Sequence, residues 1–482
     1  MDLALPAKDY GGVDIGRRNG NAATEVVVGK YDASHASSPA EATEASGTTT
    51  GSAENDGRPA LPTEKQQQQE DLLQKNIYDL SIAQNYSQSV GAAQLLRWVT
   101  EHTQLISNPP YADWRCSLTI GSTGALEQAF RMLCEGNHNG GRGDVILTEE
   151  FSFATALETA RPLGIGVSGV PMDDEGLLPK AMDEILTGWT DGRKPTVLYT
   201  VPSGQNPTGA TQGEQRRREI YAVCRKHDVY IIEDEPYYFL HMPPFQKQGI
   251  SEKAGNAAQQ DQDIDAFVQS LPPTYLSLDL DGRVMRLDSF SKNLIPGSRL
   301  GWVTASQQMV EQYLRHAECN SQGPSGLSQL IVQKLVDETW GHDGFLRWLL
   351  HLRDEYTVRR DVLLDACNRQ LGVLRCSDGN AGNDALVKWT VPRAGMFLWL
   401  QVNHAAHPDA STKSVVEIEE EIYNACIDKG VLVCRGSWFR ADPSKPLPGM
   451  YFRTTYAAST EENMVKGIER FGQAIRDSFR LS

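Results

Sequence analysis

Asp288-Ser289-Phe290-Ser291-Lys292, with Arg299 seven residues beyond the lysine, gathers an amine, two hydroxyls and a guanidinium in one short stretch. A lysine amine can condense with an aldehyde to a Schiff base and later carry a proton. Ser289, Ser291 and Arg299 can bond a phosphate, the arginine through its planar fork of donors. Read alone, the same residues also describe an ordinary turn after a strand, with a surface lysine in it.

Other segments add to this chemistry. In Thr200-Val201-Pro202-Ser203-Gly204-Gln205-Asn206-Pro207-Thr208-Gly209, Asn206 can donate to a phenolic oxygen, though Asn-Pro and Thr-Gly are also plain loop chemistry. In Ile231-Ile232-Glu233-Asp234-Glu235-Pro236-Tyr237-Tyr238, Asp234 can pair with a protonated pyridine nitrogen and keep such a ring an electron sink. Tyr237 can reach the same phenolic oxygen as Asn206. The alternatives there are a solvated acidic loop and a metal site, for which an acidic pair is a poor cage. Gly121-Ser122-Thr123-Gly124 opens a helix whose first N–H groups can receive phosphate oxygens; Ser122 or Thr123 can equally be a simple N-cap. No GxxxxGK[ST] loop occurs. The one GxGxxG string, Gly164 to Gly169, runs into Val170-Pro171 where a dinucleotide site needs a helix, and reads as a turn entering a strand.

These segments need elements to hold them. Strand-like runs at 144–148, 196–201, 229–233, 284–288 and 301–305 alternate with helical stretches such as 125–134 and 214–227. Ala92–Leu96 and Trp98–Val99 also carry helical periodicity. Such alternation predicts an α/β domain around a mostly parallel sheet, with its chemistry at the carboxyl ends of the strands. The expected layout is a low-complexity, disordered segment over 1–75, a large domain over 76–325 with a polar surface insertion near 246–273, and a smaller α+β domain over 326–482. Long helices are expected at 327–338 and 345–371.

Composition sets the outer bounds. The formal net charge of -16 argues against nucleic acid or an anionic membrane surface as partner. No apolar run is long enough to span a bilayer, and the first residues have neither a signal-peptide nor a transit-peptide pattern. The eight cysteines form no CxxC pair and suit reduced thiols. The location expected is the cytoplasm.

Taken in this order, the segments resemble the class I/II aminotransferases of fold type I, and most of all the fungal aromatic amino acid and 2-aminoadipate aminotransferases. The likeness runs from about Tyr86 to Phe471 and rests on QNPTG, IIEDEPYYFL, RLDSFSK, GSRLGW, GVLV, GSWF and YFRTTYA. It implies a fold type I pyridoxal-phosphate transferase that passes an amino group from an aromatic or 2-aminoadipate-like amino acid to a 2-oxo acid, 2-oxoglutarate by expectation, in a ping-pong cycle.

By the same resemblance, Lys292 holds pyridoxal 5'-phosphate as a Schiff base and then serves as general base. Asp234 partners the pyridine nitrogen, and Asn206 and Tyr237 hold the phenolic oxygen. Ser122, Thr123, Ser289, Ser291 and Arg299 match phosphate-binding positions, and Phe153 matches the aromatic side chain stacked on the ring. Arg453 matches the arginine that clamps the substrate α-carboxylate. Tyr86 matches a tyrosine reaching the phosphate of a neighbouring subunit, which implies a homodimer.

On composition alone, Phe153 reads better as ordinary core and Arg453 as a surface or core-edge cation. Two departures stand out. The family's N-terminal Gly-Gly-x-Pro arm has only Leu3-Ala4-Leu5-Pro6 as a counterpart, and Arg435 precedes Gly436 where the family usually has proline. Arg435 could add a cation near the pocket or face solvent. The rival readings are a lyase or cyclopropane-forming reaction on the same scaffold, a catalytically impaired paralogue, and a cofactor-binding transcription regulator. The acidic, low-complexity start argues against the regulator.

Overall fold

Seven strands form the central sheet of the computed structural model, which describes residues 78–137, 143–245, 257–375 and 385–481. They are β1 (Trp114–Thr119), β2 (Val145–Glu149), β3 (Gly166–Val170), β6 (Val197–Thr200), β7 (Tyr230–Asp234), β8 (Val284–Ser289) and β9 (Gly301–Ser306). A short hairpin, β4 (Met172–Asp173) with β5 (Gly176–Leu177), lies outside the sheet. The order is β1-β9-β8-β7-β6-β2-β3. β3, β2, β6, β7 and β8 run parallel, and β9 pairs antiparallel with both β8 and β1.

The inner parallel strands are buried on both faces, which is why they read as near-continuous apolar runs: every residue of Val197–Thr200 and Val284–Ser289 is buried, whereas the edge strand β3 is buried only at Val170. The five strand segments read from sequence are all present within a residue or two. β1 was not foreseen, and the Gly164–Gly169 string leads into β3 as expected.

A second sheet, β10 (Val387–Trp389), β11 (Phe397–Val402), β13 (Met450–Thr455) and β12 (Cys434–Arg435), is antiparallel throughout. The helix Gly341–Gln370 ties the two sheets together. Its first turns put Phe345, Leu346 and Leu349 among Trp98, Phe290 and Trp302. Its last turns put Leu363, Leu364 and Cys367 among the core residues of β11 and β13. The helices Val415–Asp428, with a capping box from Ser414 and Glu417, and Glu461–Ser478 complete this part.

The expected segment 1–75 lies outside the described residues, as do Leu3 to Pro6. Of the polar stretch 246–273, Ala257–Ser270 is helical, and its buried Ile264 and Phe267 join the core around Trp98. The helix expected at 327–338 is an α-helix, Gly326–Gln333, followed by a π-helical turn, Lys334–Thr339.

Candidate active site

Lys292, Asp234, Asn206, Phe153 and Ser122 with Thr123 stand at or just after the carboxyl ends of β8, β7, β6, β2 and β1, and Arg453 reaches Asn206 from β13. Lys292 lies in the turn after β8, and that turn is pinned on both sides of it. Phe290 is fully buried, with ring centroids 5.1 Å from Trp302 and 6.2 Å from Trp98; burying a Phe stabilises by roughly 1.5–3 kcal/mol. The indole N–H of Trp348 donates to the Asn293 carbonyl at 2.6 Å. Lys292 itself stays open to solvent. Partial burial lowers its pKa from the ordinary lysine value, and the charge of Arg299 lowers it further, with Asp234 opposing.

Beside the lysine is a cradle of donors. The helix Ser122–Leu133 begins after Gly121, whose φ of 82° favours glycine. A Cβ at Gly121 would lie 2.7 Å from the Arg299 guanidinium, so a side chain there would push that group back from the helix N-terminus. Arg299 donates to Ser291 Oγ and to the Pro296 carbonyl, each at 3.0 Å. Ser289 Oγ accepts from the Ser291 N–H at 3.1 Å. No carboxylate pairs with Arg299 among the described residues, so a helix N-terminus, an uncompensated cation and hydroxyls converge on one spot. A phosphate fits such a place.

Asp234 ends β7 and is 5% exposed. Its Oδ2 accepts from the Tyr199 hydroxyl at 2.9 Å, while its Oδ1 is buried with no partner. Burial pushes its pKa up to about 7; the Tyr199 bond works against this, Asp288 adds to it, Lys292 lowers it and Glu149 raises it. An orphaned buried carboxylate oxygen is costly, and a protonated ring nitrogen is a group that would satisfy it.

The two neighbouring carboxylates are treated otherwise. Arg217, fully buried, lies 3.0 Å from Glu235 and 3.6 Å from Glu233. Arg286 lies 3.4 Å from Glu233 and 2.8 Å from Asp288. Tyr199 and these arginines were not found from sequence. A tyrosine inside a buried strand needs a partner for its hydroxyl, which was a usable signal; nothing local marked Arg217 among Arg216, Arg217 and Arg218.

Asn206 is buried in the loop after β6, and its peptide bond to Pro207 is cis. That loop meets the turn before β11 backbone to backbone: a Cβ at Gly204 (φ 54°) would lie 2.5 Å from the Gly395 backbone. The close approach carries the second sheet to the site. Arg453 on β13 donates to Asn206 Oδ1 at 2.7 Å and to Cys434 Sγ at 3.2 Å. Its guanidinium carbon lies 4.3 Å from the Phe397 ring centroid and 4.8 Å from that of Phe439. It too has no carboxylate partner among the described residues.

Tyr237 is buried with its ring edge-on to Phe397 at 5.9 Å; burial raises its pKa. Phe153 is half-buried at the start of the helix Ala154–Ala160 and packs on the main core. Tyr86 is 92% exposed. Arg435 neither faces solvent nor adds a free cation to the pocket. Successive residues of a strand alternate faces, so Cys434 shares the side of Arg453 and Arg435 takes the other. There it pairs at 3.1 Å with Glu419, a fully buried carboxylate that needs a cation.

The family model described as aminotransferase class I and II matches residues 54–471. The chain belongs to that family. It is 42% identical over 410 residues to an aromatic amino acid aminotransferase of Schizosaccharomyces pombe, covering 84% of this chain and 81% of the relative. It is 34% identical to an L-tyrosine:2-oxoglutarate aminotransferase of Serpula lacrymans, with 83% and 80% covered. Among solved structures, the aminotransferase Aro8 from Candida albicans matches with a TM-score of 0.73, 36% identity, and 84% and 81% covered. The protein is therefore a fold type I aminotransferase, and its cofactor is pyridoxal phosphate. The donor cradle and the orphaned Asp234 oxygen fit that group.

Proposed function

We propose that the enzyme moves the amino group of an aromatic or 2-aminoadipate-like amino acid to 2-oxoglutarate, in a ping-pong cycle with Lys292 as the cofactor-bearing lysine and general base. The observation that carries this reading is Arg453. It is held between two phenylalanine rings and bonded to Asn206, with donors left over for a carboxylate that both an amino acid and a 2-oxo acid possess. The bound cofactor supplies the electron sink that makes the α-proton acidic.

The chain's own residues do the rest. Arg453 binds the α-carboxylate and orients the substrate. Lys292 Nζ, its proton held less tightly than in an ordinary lysine, takes the α-proton and returns it elsewhere. Asp234 Oδ1 holds a proton on the ring nitrogen. Asn206 and Tyr237 bond the phenolic oxygen. Gly121, Ser122, Thr123, Ser289, Ser291 and Arg299 hold the phosphate, and Phe153 covers the ring face.

Phe397 and Phe439 beside Arg453 favour an aromatic donor, and the names of the relatives agree. The same reading makes the enzyme a homodimer in which exposed Tyr86 reaches the partner's phosphate site. A cytoplasmic location belongs to it as well; no helix among the described residues is long and apolar enough to cross a membrane. A panel of amino-acid donors with 2-oxoglutarate, followed by glutamate release, tests the substrate class. Aromatic donors and 2-aminoadipate should lead; a preference for small aliphatic donors rejects it.

A further inference from the structure

We propose that Tyr199 is a positioning residue that fixes which oxygen of Asp234 faces the cofactor and favours the charged form of that carboxylate. The inference rests on the reading of Asp234 given above. Tyr199 sits in the middle of β6, one strand from Asp234, with no exposed surface. Phe130 packs edge-on against its ring at 6.1 Å, so the ring is held on its own account. Its hydroxyl donates to Asp234 Oδ2 at 2.9 Å, which leaves Oδ1 as the oxygen without a partner.

The bond also decides ionisation. A hydrogen bond donated to the charged form of a carboxyl favours that form. The groups that bear on Asp234 are few: Asp288 and Glu149 oppose its charge, Lys292 supports it, and Tyr237 is a buried neutral phenol. Glu149 is itself fully buried, and its polar contacts are neutral, from the hydroxyls of Thr200 and Thr148 and the N–H of Val201. Burial raises the Glu149 pKa, so it offers no compensation. Tyr199 is thus the one hydrogen-bond donor to Asp234 among the described residues. Without it, Asp234 holds a proton at higher pH, and its oxygen no longer offers a charge to a protonated ring nitrogen.

Tyr199→Phe removes only the hydroxyl and keeps the ring that packs on Phe130. The probe is pyridoxamine 5'-phosphate, which forms no bond to Lys292, bound to full-length apoenzyme and followed by fluorescence quenching across pH. In the unaltered enzyme, affinity falls as acid protonates Asp234. In Tyr199→Phe, that fall should begin about one pH unit higher and leave affinity about fivefold weaker at pH 7. A second readout is the ring-nitrogen chemical shift of 15N-labelled cofactor, which should move toward the deprotonated value in the variant. It serves even where affinity is hard to measure. Coincident pH curves and chemical shifts in the two proteins overturn the role of Tyr199. Asp234→Asn separates this outcome from a failure of the underlying reading: if it binds the probe with the unaltered enzyme's affinity and pH dependence, Asp234 is not the partner of the ring nitrogen at all.

Discussion

Glu233 and Glu235 point to one side of the end of β7 and Asp234 to the other, and the two sides differ in how their charge is met. On the first side, two carboxylates meet the buried guanidinium groups of Arg217 and Arg286 at 3.0 to 3.6 Å. Burial lifts the Glu235 carboxyl, and Arg217 works against that. On the second side, Asp234 has a neutral phenol on one oxygen and nothing on the other. The first arrangement balances its charge within the chain, although Glu235 Oε2 and Arg286 Nη1 make no hydrogen bond. The second is left incomplete, which is where a protein of marginal stability keeps room for a ligand.

The largest effect should come from the group the incomplete side faces. Lys292→Ala should lower amino transfer by about 10⁴-fold or more, since the general base is lost. Borohydride treatment of the unaltered enzyme should fix a phosphopyridoxyl group on Lys292, read by peptide mass; label on another lysine rejects the assignment.

Next comes a direct break of the comparison. Asp234→Ala should cut kcat by about 10³-fold, roughly 4 kcal/mol, yet leave the apoenzyme folded. Arg217→Met should do the reverse. It strands Glu235, while Glu233 keeps Arg286, and removing one partner of a buried pair typically costs about 3–5 kcal/mol. Urea unfolding and kcat measured on both variants test this. Equal loss of stability in the two would erase the distinction between the sides.

The asymmetry also has a pH signature. Asp234 has a folded pKa of about 7, raised from 3.8. A carboxyl raised on folding binds more protons in the native state, so its contribution to stability falls as pH rises from about 4 to 7. Each tenfold weakening of the carboxyl's acidity on folding is worth about 1.4 kcal/mol. Asp234→Asn should therefore stabilise the apoenzyme at pH 8 by up to a few kcal/mol. The gain should vanish near pH 4. Thermal melts at the two pH values decide it, and an equal difference at both rejects the raised pKa.

How much of this was legible in the sequence follows from locality. Lys292 and Arg299 stand in one phrase with Ser289 and Ser291, which Arg299 and its turn use, so that phrase reads as a unit; Asn206 stands out by its loop, but its partner Arg453 is remote in the chain. The strands were legible because a buried parallel strand is a continuous apolar run. Tyr199 and Arg217 were not, since their partners at 233–235 are remote in the chain; Arg286 has Asp288 two residues away, yet nothing in the sequence told that both side chains are buried together. Arg435 shows the limit from the other side. Its departure from the usual proline was visible, but its partner Glu419 lies sixteen residues away on a helix, so its direction was not. The parity of a strand, once known, placed it opposite Arg453.

The smallest expected effect tests whether Arg453 is held as completely as the buried arginines. Arg217 and Arg286 are fixed by charges; Arg453 is fixed by Asn206 Oδ1, two rings and the thiol of Cys434, its register partner on β12. A bond to sulfur is weak, and the other supports remain when it goes. Cys434→Ala should thus raise KM for the amino acid and for 2-oxoglutarate together, by about threefold, which is about 0.6 kcal/mol and within the range of one neutral hydrogen bond. kcat should hold, because the carboxylate clamp is made alike in ground and transition states. Cys434→Ser, with a hydroxyl to accept the same N–H, should restore most of the affinity. Arg453→Ala, which removes a charge-assisted contact, should raise both KM values by about 10- to 100-fold. If Cys434→Ala shifts KM for only one of the two substrates, the thiol touches that substrate's side chain and does not act through Arg453.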